Sequence, residues 1–309
     1  MLAGLDGFNG SFLADLSNIE NRMTAENKQI TSGIRVNQPS DDPTAIASIL
    51  DFQRTIDQIS QVQSNLNTAN TEASVADGAL QSASTALDQL MSIASQGASS
   101  TVSATSRTVL GQQVQQIAQQ MVSIANTTVQ GRYIFGGDDA TTAPYSFDWT
   151  QPDGIVQSTS AGNLASTMSL RNATGGAINP RMTAQAIFDV RDGGGIPTTG
   201  NVFQAIYALG QALQSNNQAG VQAAIPMLQD AVAQIGQATT FYGHVENWIQ
   251  NAQQDGTQIS NNVQQALGTV KDADIAASAS QLTLDQTALN AALAAHGSFN
   301  TRSLFSYLG

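Results

Sequence analysis

The 309-residue sequence predicts a mainly α-helical protein: a long antiparallel helical bundle or coiled coil formed by N- and C-terminal arms, with a small β-rich middle domain inserted between them. Three observations lead to this fold class. Apolar residues recur at heptad spacing in both halves of the chain, and glycine and proline concentrate between those halves. Aromatic residues make up only 6% of the chain, so burial must come from many small contacts along paired helices.

Residues 1–42 form the first predicted segment, at the N-terminus. Its apolar stripe is weak, because Glu20 and Asn27 interrupt the residues at helical spacing, which include Leu13, Leu16, Met23 and Ile30. Terminal stripes that a monomer cannot bury tend to fold on a partner. The first twenty residues also lack a basic stretch followed by a continuous apolar run, so they are not a conventional secretory signal, and the protein would need another route if it leaves the cell.

Residues 43–131 form the predicted N-terminal helical arm. Asp42 can cap its first helix, and Pro43 suits the first helical turn, where a missing N–H costs nothing. A loop is expected near residues 97–106, followed by a second helix. The main stripe advances in unbroken steps of four and three through Val62, Leu66, Ala69, Ala73, Ala76, Leu80, Ala83, Leu87, Leu90 and Ala94.

Residues 132–200 are predicted to form the β-rich inserted domain. Short apolar runs alternate there with turn signals such as Pro152-Asp153-Gly154 and the three glycines at 193–195, a pattern typical of short strands. The three glycines precede a helix expected near Asn201. They lack the Gly-Lys-Ser/Thr ending of a phosphate loop, which favours a flexible linker.

Residues 201–270 form the predicted C-terminal helical arm, with a stripe that runs from Val221 to Val270 and includes Ile225, Val232 and Val245. Residues 271–309 form a C-terminal assembly segment. Its proposed contact residues are Ile275, Leu282, Leu289, Leu293, Leu304 and Leu308.

Charge and composition exclude several classes of function. The net charge of −12 and the scattered basic residues argue against nucleic-acid binding, which needs clustered Lys and Arg. No segment approaches the ~20 apolar residues of a membrane span, so we expect no membrane insertion. Cysteine is absent, which excludes disulfides and thiolate metal sites.

Few residues are candidates for catalysis, and we predict no enzyme, no metal and no cofactor. Asp41 and Asp42 could serve acid–base chemistry or a metal, but capping the following helix is the preferred interpretation. Asp138 and Asp139 could join a calcium site, although a turn is favoured. His244 and His296 stand alone on helical stretches.

Three stretches of the sequence resemble those of a known family. The stretch from Thr31 to Pro43 resembles the N-terminal signature of the flagellin superfamily, in the Pro-Ser-Asp-Asp-Pro form of hook–filament junction proteins. The stretch Gly131-Arg132-Tyr133-Ile134-Phe135-Gly136-Gly137 is similar to a second motif of those proteins, and the segment that begins at Val270 matches the C-terminal pattern of the superfamily. The signature residues are Gly33, Arg35, Pro39, Asp41, Asp42, Pro43, Gly131, Tyr133, Phe135 and Gly137.

The resemblance implies a structural axial protein that joins hook to filament, is exported unfolded by the flagellar type III apparatus, and lies outside the cell. It also implies self-assembly into a ring and three partners, namely hook-associated protein 1, filament flagellin and an export chaperone. Two alternatives stay open: the chain could be a filament flagellin, or an extracellular coiled-coil adhesin that presents its β-rich insertion.

Overall fold

The computed structural model describes residues 2–158 and 166–300, with side chains for residues 10–158 and 166–297. Most of these residues are helical, which confirms the prediction of a mainly α-helical protein. The helices are α1 (Leu2–Ser32), α2 (Pro43–Gly97), α3 (Ala104–Ala125), α4 (Ala184–Phe188), α5 (Val202–Gln214), α6 (Gln218–Lys271) and α7 (Ile275–Asn300). The strands are β1 (Thr128–Val129), β2 (Arg132–Tyr133), β3 (Tyr145–Phe147), β4 (Ile155–Gln157), β5 (Leu170–Arg171) and β6 (Ala177–Ile178).

The chain divides into two compact units. The terminal unit comprises Met1–Gln58 and Ile259–Gly309, and the central unit comprises Ile59–Gln258. Each unit therefore combines residues from the two halves of the chain. Helices α2 and α6 contribute residues to both units.

Polar side chains define where several helices begin. Asp42 caps α2, because its Oδ1 accepts a hydrogen bond from the backbone N–H of Ala45 at 3.0 Å, as predicted. Ser103 caps α3 and Asn201 caps α5 in the same way, each with an extended backbone and a side-chain oxygen that accepts from an N–H three residues later. These caps satisfy donors that the first helical turn leaves free.

The core of the central unit lies between α2, α3, α5 and α6. On α2 the predicted stripe is buried from Leu66 to Ala94. On α6 the buried residues include Ala224 and Ala231, whereas the predicted Ile225 and Val232 are only partly buried at the edge of the core. Alanine at the centre of the interface allows helices to approach closely, and the larger neighbours then pack on the flanks.

Helices α2 and α6 are also joined by polar contacts. Gln63 donates a hydrogen bond to the backbone oxygen of Gln253 at 2.8 Å, and Ser74 donates to Glu246 at 2.9 Å. Because the contact moves forward along α2 while it moves back along α6, the two helices run antiparallel in this unit.

We call residues 126–201, between α3 and α5, the middle segment. Its strands form three antiparallel pairs, β1 with β2, β3 with β4, and β5 with β6. The turn between β1 and β2 consists of Gln130 and Gly131, with positive φ angles of 51° and 77°. Two such residues in succession are typical of the tight turns that match the strand twist.

The middle segment contributes side chains to the same hydrophobic core as the helices. Phe135, Tyr145, Ile155 and Leu170 are buried in the cluster that also contains Leu80 of α2. An ion pair between Arg181 and Glu72 of α2, 2.6 Å long, ties the segment to the helices as well. The strands and the helices of the central unit therefore share one core.

A buried polar cluster lies beside the start of α5. Asp189 is fully buried and accepts a hydrogen bond from Asn201 at 2.8 Å. It also forms an ion pair with Arg191 at 2.9 Å. Burial raises the pKa of the Asp189 carboxyl above its ordinary value, although Arg191 and Asn201 oppose that effect.

Candidate assembly surface

The candidate functional site is the pair of terminal helices, α1 and α7, which pack along each other in the terminal unit. At one end of the pair, the rings of Phe12 and His296 stack with centroids 4.1 Å apart. On both helices the more buried residues follow heptad spacing. They are Phe12, Leu16, Ile19, Met23, Glu26 and Ile30 on α1, and Ser278, Leu282, Asp285, Leu289, Ala292 and His296 on α7.

This seam is less buried and more polar than the core of the central unit. Its apolar members on α1 are only partly covered, and among residues 275–297 of α7 the buried ones are Ser278 and Asp285. Arg22 donates to Asp285 at 2.9 Å, and Ser278 donates to Gln29 at 3.2 Å. Since each buried apolar side chain contributes about 1.5–3 kcal/mol, a seam of this kind stabilises its helices weakly.

The structure divides the predicted contact residues into two sets. The first set lies in the seam between α1 and α7 and consists of Leu16, Met23, Ile30, Leu282 and Leu289. The second set is exposed to solvent: Leu13 is 61% exposed, Ile275 is 53% exposed and Leu293 is 49% exposed. Leu304 and Leu308 lie outside the described residues.

Sequence reasoning missed Leu284, which is 62% exposed on α7. It lies off the apolar stripe, so the helical periodicity alone did not select it. The sequence did contain one signal for it, namely a large apolar residue at a helix position whose neighbours are mostly polar. Together, Leu13, Ile275, Leu284 and Leu293 form what we call the outer apolar set of the terminal helices.

The first signature motif forms the connection between α1 and α2 and contacts the end of α6. The guanidinium of Arg35 donates to Asp42 at 3.0 Å and to the backbone oxygen of Val270 at 2.7 Å. The backbone N–H of Arg35 also donates to the oxygen of Lys271 at 2.8 Å. Arg35 therefore donates hydrogen bonds to the last two carbonyl oxygens of α6 and also binds Asp42, which caps α2.

Gly33 and Asp41 complete this connection. Gly33 has a φ of 69°, a conformation that glycine adopts without strain, and its oxygen accepts from the N–H of Ala273 at 3.0 Å. Asp41 accepts from the N–H groups of Asn37 and Gln38, each at 2.9 Å. Pro39 lies exposed in the same connection.

These contacts hold both aspartates in the ionised form. The hydroxyl of Thr44, the N–H of Ala45 and the guanidinium of Arg35 together lower the pKa of Asp42 to about 2. The N–H groups of Gln38 and Asn37 lower the pKa of Asp41 below its ordinary value. Both carboxylates thus act as hydrogen-bond acceptors that shape the connection, in agreement with the capping interpretation.

The second signature motif is part of the central core. Gly131 forms the turn between β1 and β2, and Gly137 has a φ of 65°. Phe135 is fully buried and packs edge-on against Phe188 and Tyr242, with centroids 5.7 and 6.2 Å away. Tyr133 is partly buried. This motif therefore joins the middle segment to α6 through an aromatic contact.

The other candidates have structural contacts of their own. Asp138 accepts hydrogen bonds from Thr167, and Asp139 accepts from Thr141 in a turn. Among the described residues, no group of three His, Cys, Asp or Glu could hold a metal ion. No helix in the same part of the chain is long and apolar enough to cross a membrane.

Comparisons with known proteins agree with the motifs. A family model described as the bacterial flagellin N-terminal helical region matches residues 10–140. Flagellar hook-associated protein 3 of Escherichia coli (strain K12) is 26% identical over 289 residues, covering 90% of each chain. A flagellin of Clostridium tyrobutyricum is 27% identical over 151 residues, covering 48% of this chain and 39% of the relative.

A solved structure has the same fold. It is that of a protein from Vibrio parahaemolyticus assigned as flagellar hook-associated, with a TM-score of 0.64 and 25% identity, covering 75% of this chain and 100% of that one. The signature residues, the family model and the matches to hook-associated protein 3 all point the same way. The chain is therefore similar to flagellins in its N-terminal helical region and to hook-associated protein 3 over most of its length.

Proposed function

We propose that this chain is a structural axial protein of the bacterial flagellum that joins the hook to the filament. The observation that carries the proposal is the pair of terminal helices, which have a weak seam between them and expose four large apolar side chains. The match to hook-associated protein 3 over 90% of the chain supports the same role. In this role the chain performs no catalysis and acts outside the cell.

The outer apolar set is the proposed contact surface with other subunits. Its four residues lie on helices from opposite ends of the chain, and exposed apolar side chains gain most from burial against a neighbour. In this proposal the apolar seam residues hold α1 and α7 together and thereby keep the outer apolar set on one paired structure. They are Leu16, Met23, Ile30, Leu282 and Leu289. Leu304 and Leu308 are kept as proposed contact residues on the basis of the sequence alone.

The proposed organisation follows the five segments expected from the sequence. Residues 1–42 and 271–309 serve export and assembly, 43–131 and 201–270 form the paired helical arms, and 132–200 form the β-rich insertion. The antiparallel contacts between α2 and α6 support the pairing of the arms. The three short strand pairs support a β-rich insertion.

The proposed partners follow from the junction role. Copies of the chain form a ring, hook-associated protein 1 lies on the hook side, and flagellin lies on the filament side. Export occurs unfolded through the flagellar type III apparatus, with a chaperone on the C-terminal segment. The weak seam supports this route, because terminal helices with little buried apolar area separate easily.

A deletion strain tests the junction role. We expect intact hooks without filaments, with flagellin shed into the medium. Restoration by the intact chain but not by Leu284→Asp would assign the outer apolar set to assembly. Ile196→Asp is a matched control, since Ile196 is 64% exposed in the central unit and should restore filaments. Normal filaments in the deletion strain would contradict the proposal.

Filament flagellin is the second candidate, and the match to the Clostridium flagellin favours it over part of the chain. The two functions differ in how the purified protein assembles. A flagellin forms long filaments by itself, whereas a junction protein needs a hook or filament end on which to add. Spontaneous long filaments in electron micrographs would therefore support the second candidate.

A further inference from the structure

The seam between α1 and α7 contains charged groups at positions that are apolar in most paired helices. Asp285 is only 3% exposed, and it occupies a heptad position between Leu282 and Leu289. Arg22, whose side chain is 52% exposed, reaches it from α1. A buried carboxylate is costly unless a cation and hydrogen bonds compensate it.

The contact between these two residues is extensive. Nη2 of Arg22 lies 2.9 Å from Oδ1 of Asp285, and Nε lies 3.3 Å from Oδ1 and 3.4 Å from Oδ2. Gln281 adds a longer hydrogen bond to Oδ1 at 3.5 Å. The guanidinium lowers the pKa of Asp285 below its ordinary value, so the pair is charged at neutral pH.

A third charge lies on the same seam. Glu26 is one turn after Arg22 on α1, and no hydrogen-bond partner among the described residues meets its buried Oε2. The α1 side of the seam thus carries one cation and one carboxylate, whereas the α7 side carries a carboxylate alone. The arrangement of charge differs between the two helices.

The polar contacts also repeat in register. One heptad after Arg22, Gln29 accepts a hydrogen bond from Ser278, which lies one heptad before Asp285. Because the pattern advances on α1 as it retreats on α7, both contacts require the same antiparallel alignment. Apolar side chains alone would not impose this, since hydrophobic burial has no directional preference.

We propose that Arg22 and Asp285 determine the pairing partner of α7, so that α7 pairs with α1 and not with a copy of itself. Two copies of α7 packed on the same seam would bury two Asp285 carboxylates without the guanidinium of Arg22. In the proposed assembly, which brings many identical termini together, this penalty selects the α1–α7 pair.

A disulfide test suits this chain because it contains no cysteine. Ile19→Cys and Leu289→Cys place one thiol on each side of the seam, near Arg22 and Asp285. Mild oxidation of the full-length monomer then reports α1–α7 pairing by the yield of the intramolecular disulfide. In this background we compare Arg22→Asp, Asp285→Arg and the double variant in which the two charges are exchanged.

Each single charge change should lower the rate of disulfide formation by about tenfold or more, because it places like charges together in a partly buried site. The exchanged pair should return the rate to within about twofold of the parent, since it restores opposite charges. Single variants that react like the parent, or an exchanged pair no better than the single variants, would overturn the proposal.

A second measurement tests self-pairing directly. With Leu289→Cys as the only cysteine, Arg22→Leu with Asp285→Leu should increase disulfide-linked dimers through α7 several-fold. Arg54→Leu with Asp51→Leu is the matched control, because it removes an exposed Arg–Asp pair on α2 and should not increase dimers. An unchanged dimer yield in the seam variant would count against the selection of α7 partners. Both measurements use the isolated chain, so their failure would leave the junction role untouched.

Discussion

Arg35 and Asp42 form an ion pair, Nη1 to Oδ2 at 3.0 Å, that touches the beginning of α2 and the end of α6 at once. Asp42 caps the first turn of α2, and Arg35 binds the carbonyl of Val270 near the end of α6. An anion at a helix N-terminus and a cation at a helix C-terminus both interact favourably with the helix dipoles. The flagellin-type signature therefore has a structural explanation in the way it joins two distant segments.

We expect Arg35→Ala to loosen the start of α2 and the end of α6 together, because one side chain serves both. Amide hydrogen exchange should rise several-fold at Ala45 and at the last turn of α6, with little change in the central unit. Arg54→Ala, which removes an exposed guanidinium from α2 beyond its first turns, is the control. Faster exchange at only one of the two helix ends would contradict the shared role.

Acid should unfold the terminal unit before the central unit, because both units contain carboxyls with lowered pKa values but the terminal seam is the less buried of the two. The pKa of Asp42 is about 2 in the folded chain, below the ~3.9 of a free aspartate, and the pKa of Asp285 is also lowered. A carboxyl whose pKa falls on folding contributes stability above its unfolded pKa and loses it as the pH drops toward the folded value. The loss should therefore occur between about pH 4 and pH 2.

The two tryptophans separate the units in that titration. Trp149 and Trp248 both lie in the central unit, so their fluorescence reports that unit, while circular dichroism reports all helices. Ellipticity should fall at a higher pH than the tryptophan emission changes. Asp42→Asn should weaken the acid-dependent part of the helical loss. Coincident transitions in the two signals would show that the units do not unfold separately.

Glycine at the end of α2 should be needed for packing. A Cβ on Gly97 would collide with the side chain of Leu213, which is fully buried and cannot move away. Gly97→Ala should lower the free energy of unfolding by roughly 1–3 kcal/mol. Chemical denaturation with tryptophan fluorescence measures this change.

Gly78 is the matched control on the same helix, because a Cβ there meets no atom within 4 Å. Gly78→Ala should raise the free energy of unfolding by up to about 1 kcal/mol, since alanine favours the helix more than glycine. Equal effects of the two substitutions would refute the packing explanation.

Limited proteolysis should cleave the terminal unit first. Its seam is partly exposed, whereas the α2–α6 interface contains fully buried residues along its length. Trypsin should therefore cut near Lys28 and Lys271 earlier than near Arg107, which is buried and donates to the oxygens of Gly97 and Ser99. Mass spectrometry of the fragments shows the order. Termini as resistant as the central unit would contradict folding that is coupled to assembly.

The sequence predicted the long apolar stripes better than the terminal seam, for a physical reason. On α2 the stripe from Leu66 to Ala94 is strongly periodic, and the structure buries it as expected. On α1 the seam includes Phe12 and Glu26 and excludes Leu13. Hydropathy could not place Asp285 in the seam, because its burial depends on Arg22, which is 263 residues away in the sequence.

The helix boundaries depended on local chemistry and were largely predictable. Pro43 and Asn201 both mark helix starts close to the expected positions. The choice of Ala224 over Ile225 for the interior of α6 was not predictable, since both residues fit a helical stripe. Only the distance between the packed helices decides which of them fits.

The shared core of the central unit affects how middle segments could be exchanged between relatives. Phe135, Tyr145, Ile155 and Leu170 fill space beside the helices, so a chimera that receives a foreign middle segment would leave part of that space empty. Such a graft should fold only if its replacements match these side chains in volume. We therefore expect related proteins to keep the volume of the buried side chains in this segment, while their solvent-exposed loops differ in sequence.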